Sequence, residues 1–273
     1  MSRTTSVLID GHVHYYSCFD PAVFLRSAAR NFARHGNPGT QKLLCLTESA
    51  PDHWFESLAG QLDNELVDGW WVRSTQESNS LQLVHNDGEQ LLLIAGHQVV
   101  SDDDLEVLTI GVRDKLADGQ PTAALVKETI AHGGVPVLPW GFGKWLGNRG
   151  RIVEALVQEF GDALLLGDNG GRLRIGARPP LLDAVLGRGQ SLFSGSDPLP
   201  MAGQEHRVGS FGIRLSQSLD AAQPFASLCK QLKRPGDSSQ GLPHSEGFGV
   251  LEAPLSFVRN QIVMQWRKRV QRD

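Results

Sequence analysis

The feature that most constrains the fold is a short apolar segment near the N-terminus that ends on an acid and two histidines. It reads Val7-Leu8-Ile9-Asp10-Gly11-His12-Val13-His14. In an extended segment, residues two apart point to the same side, so this spacing predicts that both imidazoles converge on one point. Two histidines in a polar loop are the alternative. The apolar strand and the acid at its end favour a metal site at the carboxyl end of a first strand.

The chain after this segment alternates between predicted helices and predicted strands. Asp20-Pro21 is typical of a helix N-cap followed by proline at the first helical position, and the helix is expected to end at Gly36. Residues 42–47 form an apolar run suited to a buried strand. About seven such strands end in polar loops between Val7 and Phe193, which predicts an α/β fold of the parallel, barrel-like kind.

One region departs from this alternation and predicts an antiparallel β meander inserted into the barrel. Short extended runs start at Trp70, Ser80 and Gln90, and the turn sequence Asn86-Asp87-Gly88 joins the last two. Towards the C-terminus we expect a helix over 221–232, a polar linker over 234–249 and a basic helix over 254–272. The whole chain, 1–273, is expected to be a single domain, with a barrel core over about 5–215 and a helical extension over about 216–273.

Composition narrows the classes of partner. The net charge of −4 provides no bulk attraction to polyanions, so we expect no nucleic-acid partner and no membrane association. We separately expect a small anionic substrate. No apolar run approaches the roughly 18 residues of a spanning helix. Cys18, Cys45 and Cys229 are odd in number and far apart, which favours a cytoplasmic protein with reduced thiols. The meander or the C-terminal helix offers a surface for an oligomer.

Polar residues at the predicted strand ends are candidate ligands and catalytic groups. We predict that a divalent ion, either zinc, manganese or iron, in one or two copies, is bound by four residues: His12, His14, Glu48 and Asp197. Asp197 is also a candidate proton acceptor. The alternatives are an Asp-Pro turn for Asp197 and a helix N-cap or loop carboxylate for Glu48 and Asp168.

Two glycine-containing loops supply candidate substrate-binding residues. The loop over 141–150 places Lys144 and Arg149 beside the start of a predicted helix, which suits a phosphate or carboxylate, although its spacing is not that of a nucleotide-binding motif. The loop over 203–209 offers His206 as a late metal ligand or general acid and Arg207 as an anion-binding group. A simple surface loop is the alternative there. Asp168, at the carboxyl end of another predicted strand, is predicted to bind substrate at the same end of the barrel.

Three of these segments resemble motifs of the PHP (polymerase and histidinol phosphatase) superfamily. Residues 10–14 resemble its opening Asp-x-His-x-His, residues 46–49 are similar to its Thr-Asp-His motif, and Gly195-Ser196-Asp197 is similar to its closing Gly-Ser-Asp-x-His. The resemblance implies a distorted seven-stranded α/β barrel that binds up to three metal ions and hydrolyses phosphoesters. The amidohydrolase barrel, which also begins with His-x-His, is the second choice.

The chain departs from the PHP pattern at several ligand positions. Gln98 stands where the family has a glutamate, Glu106 where it has a histidine, Pro139 in place of the histidine of Ala-His-Pro, and Leu199 in place of the final histidine. The leading hypothesis is therefore a hydrolase with a reduced metal site, acting on a small phosphoester with a metal-activated water. The alternative is a catalytically degenerate PHP-like barrel that works as a binding or scaffold protein.

Overall fold

The computed structural model describes residues 6–49, 52–175, 177–232 and 246–270. The strands are β1 (Val7–Val13), β2 (Gln41–Leu46), β3 (Glu65–Val67), β4 (Trp70–Ser74), β5 (Ser80–His85), β6 (Gln90–Ile94), β7 (Gln98–Val100), β8 (Glu106–Ile110), β9 (Val135–Pro139), β10 (Leu165–Gly167), β11 (Phe211–Leu215) and β12 (Glu246–Gly249). The helices are α1 (Pro21–Ala33), α2 (Trp54–Ala59), α3 (Thr122–Ala131), α4 (Asn148–Phe160), α5 (Pro180–Gly187), α6 (Pro224–Leu232) and α7 (Pro254–Val270), with short 3-10 turns at Gly161–Ala163 and Gln204–Arg207. This composition confirms the predicted α/β class.

The larger sheet has eight strands in the order β12-β11-β1-β2-β6-β5-β4-β3. β1, β2 and β6 are parallel neighbours, whereas β3 to β6 run antiparallel to one another, as the meander prediction required. All seven residues of β1 are buried because apolar clusters cover both faces of the sheet. Leu8 belongs to one cluster and Ile9 to the other. Because β1 lies between β11 and β2 and is buried on both faces, its carboxyl end is held in a fixed position.

The smaller sheet has four strands in the order β10-β9-β8-β7. Here only β9 and β10 are parallel, and a third apolar cluster packs this sheet against α3, α4 and α5. The segment over 193–197 connects the two sheets. Phe193 N donates to Leu166 O at 2.8 Å, while Gly11 N donates to Ser194 O at 2.9 Å. The segment therefore runs between β10 and β1.

The helix that follows β1 shows how local sequence determines an element. Asp20 caps α1 by accepting a hydrogen bond from Val23 N at 2.9 Å, and Pro21 occupies the first turn, as predicted. The buried side of α1 carries Phe24, Leu25 and Phe32 against β1 and β2. The chain leaves the helix after Ala33, close to the predicted end at Gly36.

Several expectations differ from the architecture. The assigned strands form two sheets instead of one closed parallel ring, and β8 pairs antiparallel with both of its neighbours. The segment over 191–194, predicted as a strand, makes isolated backbone hydrogen bonds to β10 and β1 but does not form a regular strand. Residues 246–249 of the predicted linker form β12 against β11, whereas 234–245 lie outside the described residues. None of the helices in the described ranges combines the length and apolarity needed to cross a membrane.

Candidate metal centre

Three of the predicted ligands meet at the carboxyl end of β1. His12 Nε2 lies 3.0 Å from His14 Nε2, and Asp197 Oδ1 lies 3.6 Å and 3.7 Å from these two nitrogens. The three donor atoms lie within 4.8 Å of one another, and the histidines are buried to 3% and 2% exposure. Nitrogen and oxygen donors about 2 Å from one ion have separations of about 3–4 Å from each other. We call this cluster the His-His-Asp group.

The backbone of the 195–197 segment approaches β1 too closely for any side chain at the first position. A Cβ at Gly195 would lie 2.1 Å from His12 N and 2.7 Å from Asp10 Oδ1. Two residues later Asp197 has a φ of 47°, in the left-handed region that L-residues other than Asn and Asp rarely adopt. Its amide donates to His12 O at 2.9 Å, which fixes the carboxylate beside the imidazoles. Glycine and this turn together bring Asp197 to the strand end.

Asp10 has a structural role where β1 meets the 195–197 segment. It is fully buried, its Oδ1 accepts from Ser196 N at 2.7 Å, and its Oδ2 accepts from Gly209 N at 2.8 Å. Burial raises the pKa of Asp10 to about 7, although these hydrogen bonds oppose the shift. Asp10 therefore ties two distant loops to β1 and does not belong to the His-His-Asp group.

The electrostatics of the group suit a cation. Burial and, secondly, the neighbouring His12 lower the pKa of His14 to about 3, so this imidazole is neutral near pH 7. Burial acts to raise the pKa of Asp197, but His12, His14, Lys144 and Arg207 hold it below its usual range. A neutral imidazole and an ionised carboxylate are the forms that bind metals. The donor set therefore fits a zinc, manganese or iron ion.

Groups around the donors fix their orientation. His14 stacks on Tyr16, with ring centroids 5.3 Å apart, and Gln98 Oε1 lies 3.2 Å from His12 Nε2. Asn169 Nδ2 donates to Asp197 Oδ2 at 3.0 Å, which leaves Oδ1 directed at the imidazoles. The buried Nδ1 atoms of both histidines have no hydrogen-bond partner among the described residues. The histidines are thus oriented by packing more than by hydrogen bonds.

The predicted cations divide into two that act on the group and one that does not. Lys144 pairs with Glu106, and Arg207 pairs with Glu252, while the charges of both cations act on Asp197. Arg149 donates to Gly143 O at 3.0 Å within its own loop. Lys144 and Arg207 are therefore the predicted cations whose charge reaches Asp197, and each is also paired with a glutamate of the chain.

Three other predicted residues lie elsewhere. Glu48 is buried, its Oε1 accepts from Phe55 N at 2.9 Å at the start of α2, and burial raises its pKa. Glu48 therefore accepts from the first turn of α2, whose N-cap residue is His53, and it is not in the His-His-Asp group. His206 is exposed, with its Nδ1 3.2 Å from Ser27 Oγ of α1. Its role as a general acid stays a prediction.

Asp168 is the third. It forms a buried, bidentate ion pair with Arg172, at 2.9 Å from Nε to Oδ1 and 3.0 Å from Nη2 to Oδ2. Its oxygens are therefore engaged by a cation of the chain itself.

Sequence reasoning did not single out Tyr16 or Asn169, both of which contact the group. Tyr16 continues the two-residue spacing of His12 and His14, and this signal was available in the sequence. Asn169 follows Asp168 directly at the end of β10, but only the meeting of β10 with the 195–197 segment shows that it reaches Asp197.

No protein-family model matches the chain, and a search of curated proteins found no relative. Among solved structures, PsfC from Pseudomonas syringae PB-5123 is similar over 96% of this chain and 98% of its own, with a TM-score of 0.53 and 12% identity. The lesion-specific endonuclease PfuEndoQ from Pyrococcus furiosus is similar over 85% of this chain, with a TM-score of 0.49 and 16% identity. Endonuclease Q in complex with a 27-mer duplex substrate has a TM-score of 0.44 and 14% identity.

These likenesses concern the fold. The PsfC structure has the same overall fold along nearly the whole chain, whereas this chain spans 57% of the length of the endonuclease. The expectation of no nucleic-acid partner is contradicted: the solved structures similar to this chain include a lesion-specific endonuclease and Endonuclease Q in complex with a 27-mer duplex substrate.

Proposed function

We propose that the protein is a metal-dependent hydrolase of phosphoesters, built on a divergent PHP-type barrel. The observation that carries this proposal is the convergence of His12, His14 and Asp197, whose donor atoms lie within 4.8 Å of one another at the end of a buried strand. Lys144 and Arg207 add positive charge beside a site that a substrate anion would enter. A cation site flanked by further cations is suited to an anionic ester.

The barrel interpretation is supported by contacts at both seams between the sheets. A parallel bridge joins Glu48 to His97 after β2, and another joins Asn169 to Gly195 after β10. We infer that the two sheets form one distorted seven-stranded barrel whose ring includes the 193–197 segment. The core over about 5–215 and the extension over about 216–273 remain our proposed boundaries within a single domain.

The chain's own residues divide the chemical work. His12 Nε2, His14 Nε2 and Asp197 Oδ1 would hold a zinc, manganese or iron ion, and Asn169 keeps the carboxylate in place. When bound, such an ion lowers the pKa of water towards neutrality and polarises a phosphoryl oxygen. Lys144 and Arg207 neutralise negative charge on the phosphoryl group. Asp197 is our candidate proton acceptor, and Glu48 is left out because its Oε1 accepts from Phe55 N.

The first test is metal content together with hydrolysis. Protein purified without added metal or chelator should contain about one equivalent of a transition metal. It should hydrolyse a small aryl phosphate, a phosphodiester or a DNA oligonucleotide. The double variant His12→Ala, His14→Ala should lose both properties, while the control His132→Ala, at the exposed C-terminal end of α3, should keep both. A metal-free double variant with wild-type turnover would refute the proposal.

A second candidate function is ligand binding without catalysis. Gln98 favours this alternative. Its neutral amide oxygen lies 3.2 Å from His12 Nε2, at a position where the PHP pattern has a charged ligand. Absence of metal in the wild type, even after incubation with zinc or manganese, would make the binding function the better account.

A further inference from the structure

An open groove of about 520 Å³ lies beside the loop that carries Lys144. Its walls come from the loop after β9 and from the segment that leads into α5. The apolar lining includes Trp140, Phe142, Trp145, Leu146, Pro179 and Leu181. The groove also has Glu154 and Arg178 in its lining, so charged groups are available at its edge.

The groove leaves large apolar side chains in contact with water. Phe142 is 65% exposed and Leu146 is 72% exposed, on the same short loop as two tryptophans. One edge contact is made by Phe142, whose ring centroid lies 5.3 Å from that of Phe257 in α7. Isolated exposed apolar residues are common, but a concave surface with two indoles, a phenyl ring and prolines is typical of a binding site for a flat apolar group. Phe142 and Leu146 are not core residues, so core packing does not explain why large apolar side chains stand at these positions.

The groove is connected to the His-His-Asp group by two short links. Asn169 Nδ2 donates both to Trp140 O at 2.8 Å and to Asp197 Oδ2 at 3.0 Å, so one amide joins the groove wall to a candidate ligand. Lys144 lies between Phe142 and Trp145 in sequence, pairs with Glu106 and acts electrostatically on Asp197. One loop therefore presents a cation towards the group and an apolar surface in the groove.

We propose that this groove binds an aromatic group of the substrate, while the phosphoester of the same molecule lies at the His-His-Asp group beside Lys144. The substrate class is thus an aromatic phosphoester. This inference rests on the proposed function for the position of the phosphoryl group, but the aromatic subsite has a test of its own.

The experiment measures binding by isothermal titration calorimetry with three probes: 1-naphthyl phosphate, 1-naphthol and inorganic phosphate. The groove variant is Phe142→Ser, Leu146→Ser, at two exposed positions outside the core. Because Phe142→Ser also removes the ring contact with Phe257 of α7, the single variant Leu146→Ser is measured beside it. The site variant is His12→Ala, His14→Ala. Leu62→Ser, in the turn before β3 and 40% exposed, is the control for loss of an exposed apolar side chain.

We expect the wild type to bind 1-naphthyl phosphate at least about tenfold more tightly than inorganic phosphate, because the ring buries apolar surface in the groove. The groove variant should weaken both naphthyl probes by at least about fivefold and leave phosphate binding unchanged. The site variant should weaken the two phosphate-bearing probes and leave 1-naphthol unchanged. Leu62→Ser should behave as the wild type with all three.

The outcomes separate the two proposals. If the groove variant binds both naphthyl probes as the wild type does, the aromatic subsite is wrong. The aromatic subsite is also wrong if that variant changes only the oligomeric state, seen by size-exclusion chromatography, because the groove then contacts protein. If the site variant leaves both phosphate-bearing probes unchanged while the groove variant weakens 1-naphthol, the phosphoester site fails and the aromatic subsite stands.

Discussion

Two acidic residues follow neighbouring segments at the same end of the fold, yet their surroundings are opposite. Asp168, after β10, is held by three contacts of 2.9–3.2 Å to the guanidinium of Arg172, and both side chains are buried. Asp197, after the 193–196 segment, accepts one hydrogen bond from Asn169 on Oδ2 and directs Oδ1 at two imidazoles. The first acid forms a direct ion pair with an arginine of its own chain, whereas within the described residues the second has no lysine or arginine within ion-pair distance.

The comparison teaches that position at a strand end does not make a carboxylate a ligand. A carboxylate whose oxygens are filled by a guanidinium has little to offer a metal, and breaking such a pair costs stability. A carboxylate oriented through one oxygen keeps the other free, which is the arrangement that outer hydrogen bonds give to metal ligands. Variants of Arg172, Gly195, Asp197 and Glu48 test this division.

Arg172→Met removes the partner of Asp168 and leaves a buried acid without compensation. We expect the free energy of unfolding to fall by about 3–5 kcal/mol, measured by urea denaturation. The matched control is Arg73→Met, which removes an exposed partner of Asp63 and should cost under about 1 kcal/mol. Equal costs at the two positions would show that the Asp168–Arg172 pair is not a structural element.

Gly195→Ala places a methyl group 2.1 Å from His12 N, so β1 and the 195–197 segment must separate. We expect a loss of about 2–3 kcal/mol in the free energy of unfolding, together with the bound metal, because Asp197 moves away from the histidines. Gly187→Ala is the control, since a Cβ there has no heavy atom within 4 Å. Metal content at the wild-type level in Gly195→Ala would contradict the close approach.

Asp197→Asn keeps the shape of the side chain and removes its negative charge. Metal affinity should fall by at least about 100-fold, since the loss of a hydrogen bond to a ligand alone costs about 10–100-fold, and thermal stability without metal should change little. Competition with a chromophoric chelator gives the affinity. Asp168→Asn provides the contrast: it should lower stability and leave metal affinity within about tenfold. If instead Asp168→Asn lost metal affinity and Asp197→Asn lost only stability, Asp168 would be the ligand and Asp197 the structural acid.

Glu48→Gln is expected to have the smallest effect. Its side-chain oxygen can still accept from Phe55 N, so the free energy of unfolding should change by under about 1 kcal/mol and metal content should not change. A clear loss of metal in this variant would restore Glu48 as a ligand.

Local sequence was enough for several elements and for one half of the site. The apolar run of β1, the Asp20 cap of α1 and the turn at Asn86-Asp87-Gly88 act over a few residues, and the structure has each of them in place. The convergence of His12 and His14 follows from the same short range, because alternation along an extended segment needs no tertiary contact.

The tertiary structure decided which strand-end acids join the histidines. Glu48, Asp168 and Asp197 look alike in sequence, since each follows an apolar run, but their partners Phe55, Arg172 and Asn169 are defined by packing and by the course of the loops. Long-range pairing also set the two-sheet arrangement and the meeting of β10 with the 195–197 segment. The physical reason is that a ligand needs free lone pairs, and what occupies them is decided by residues distant in sequence.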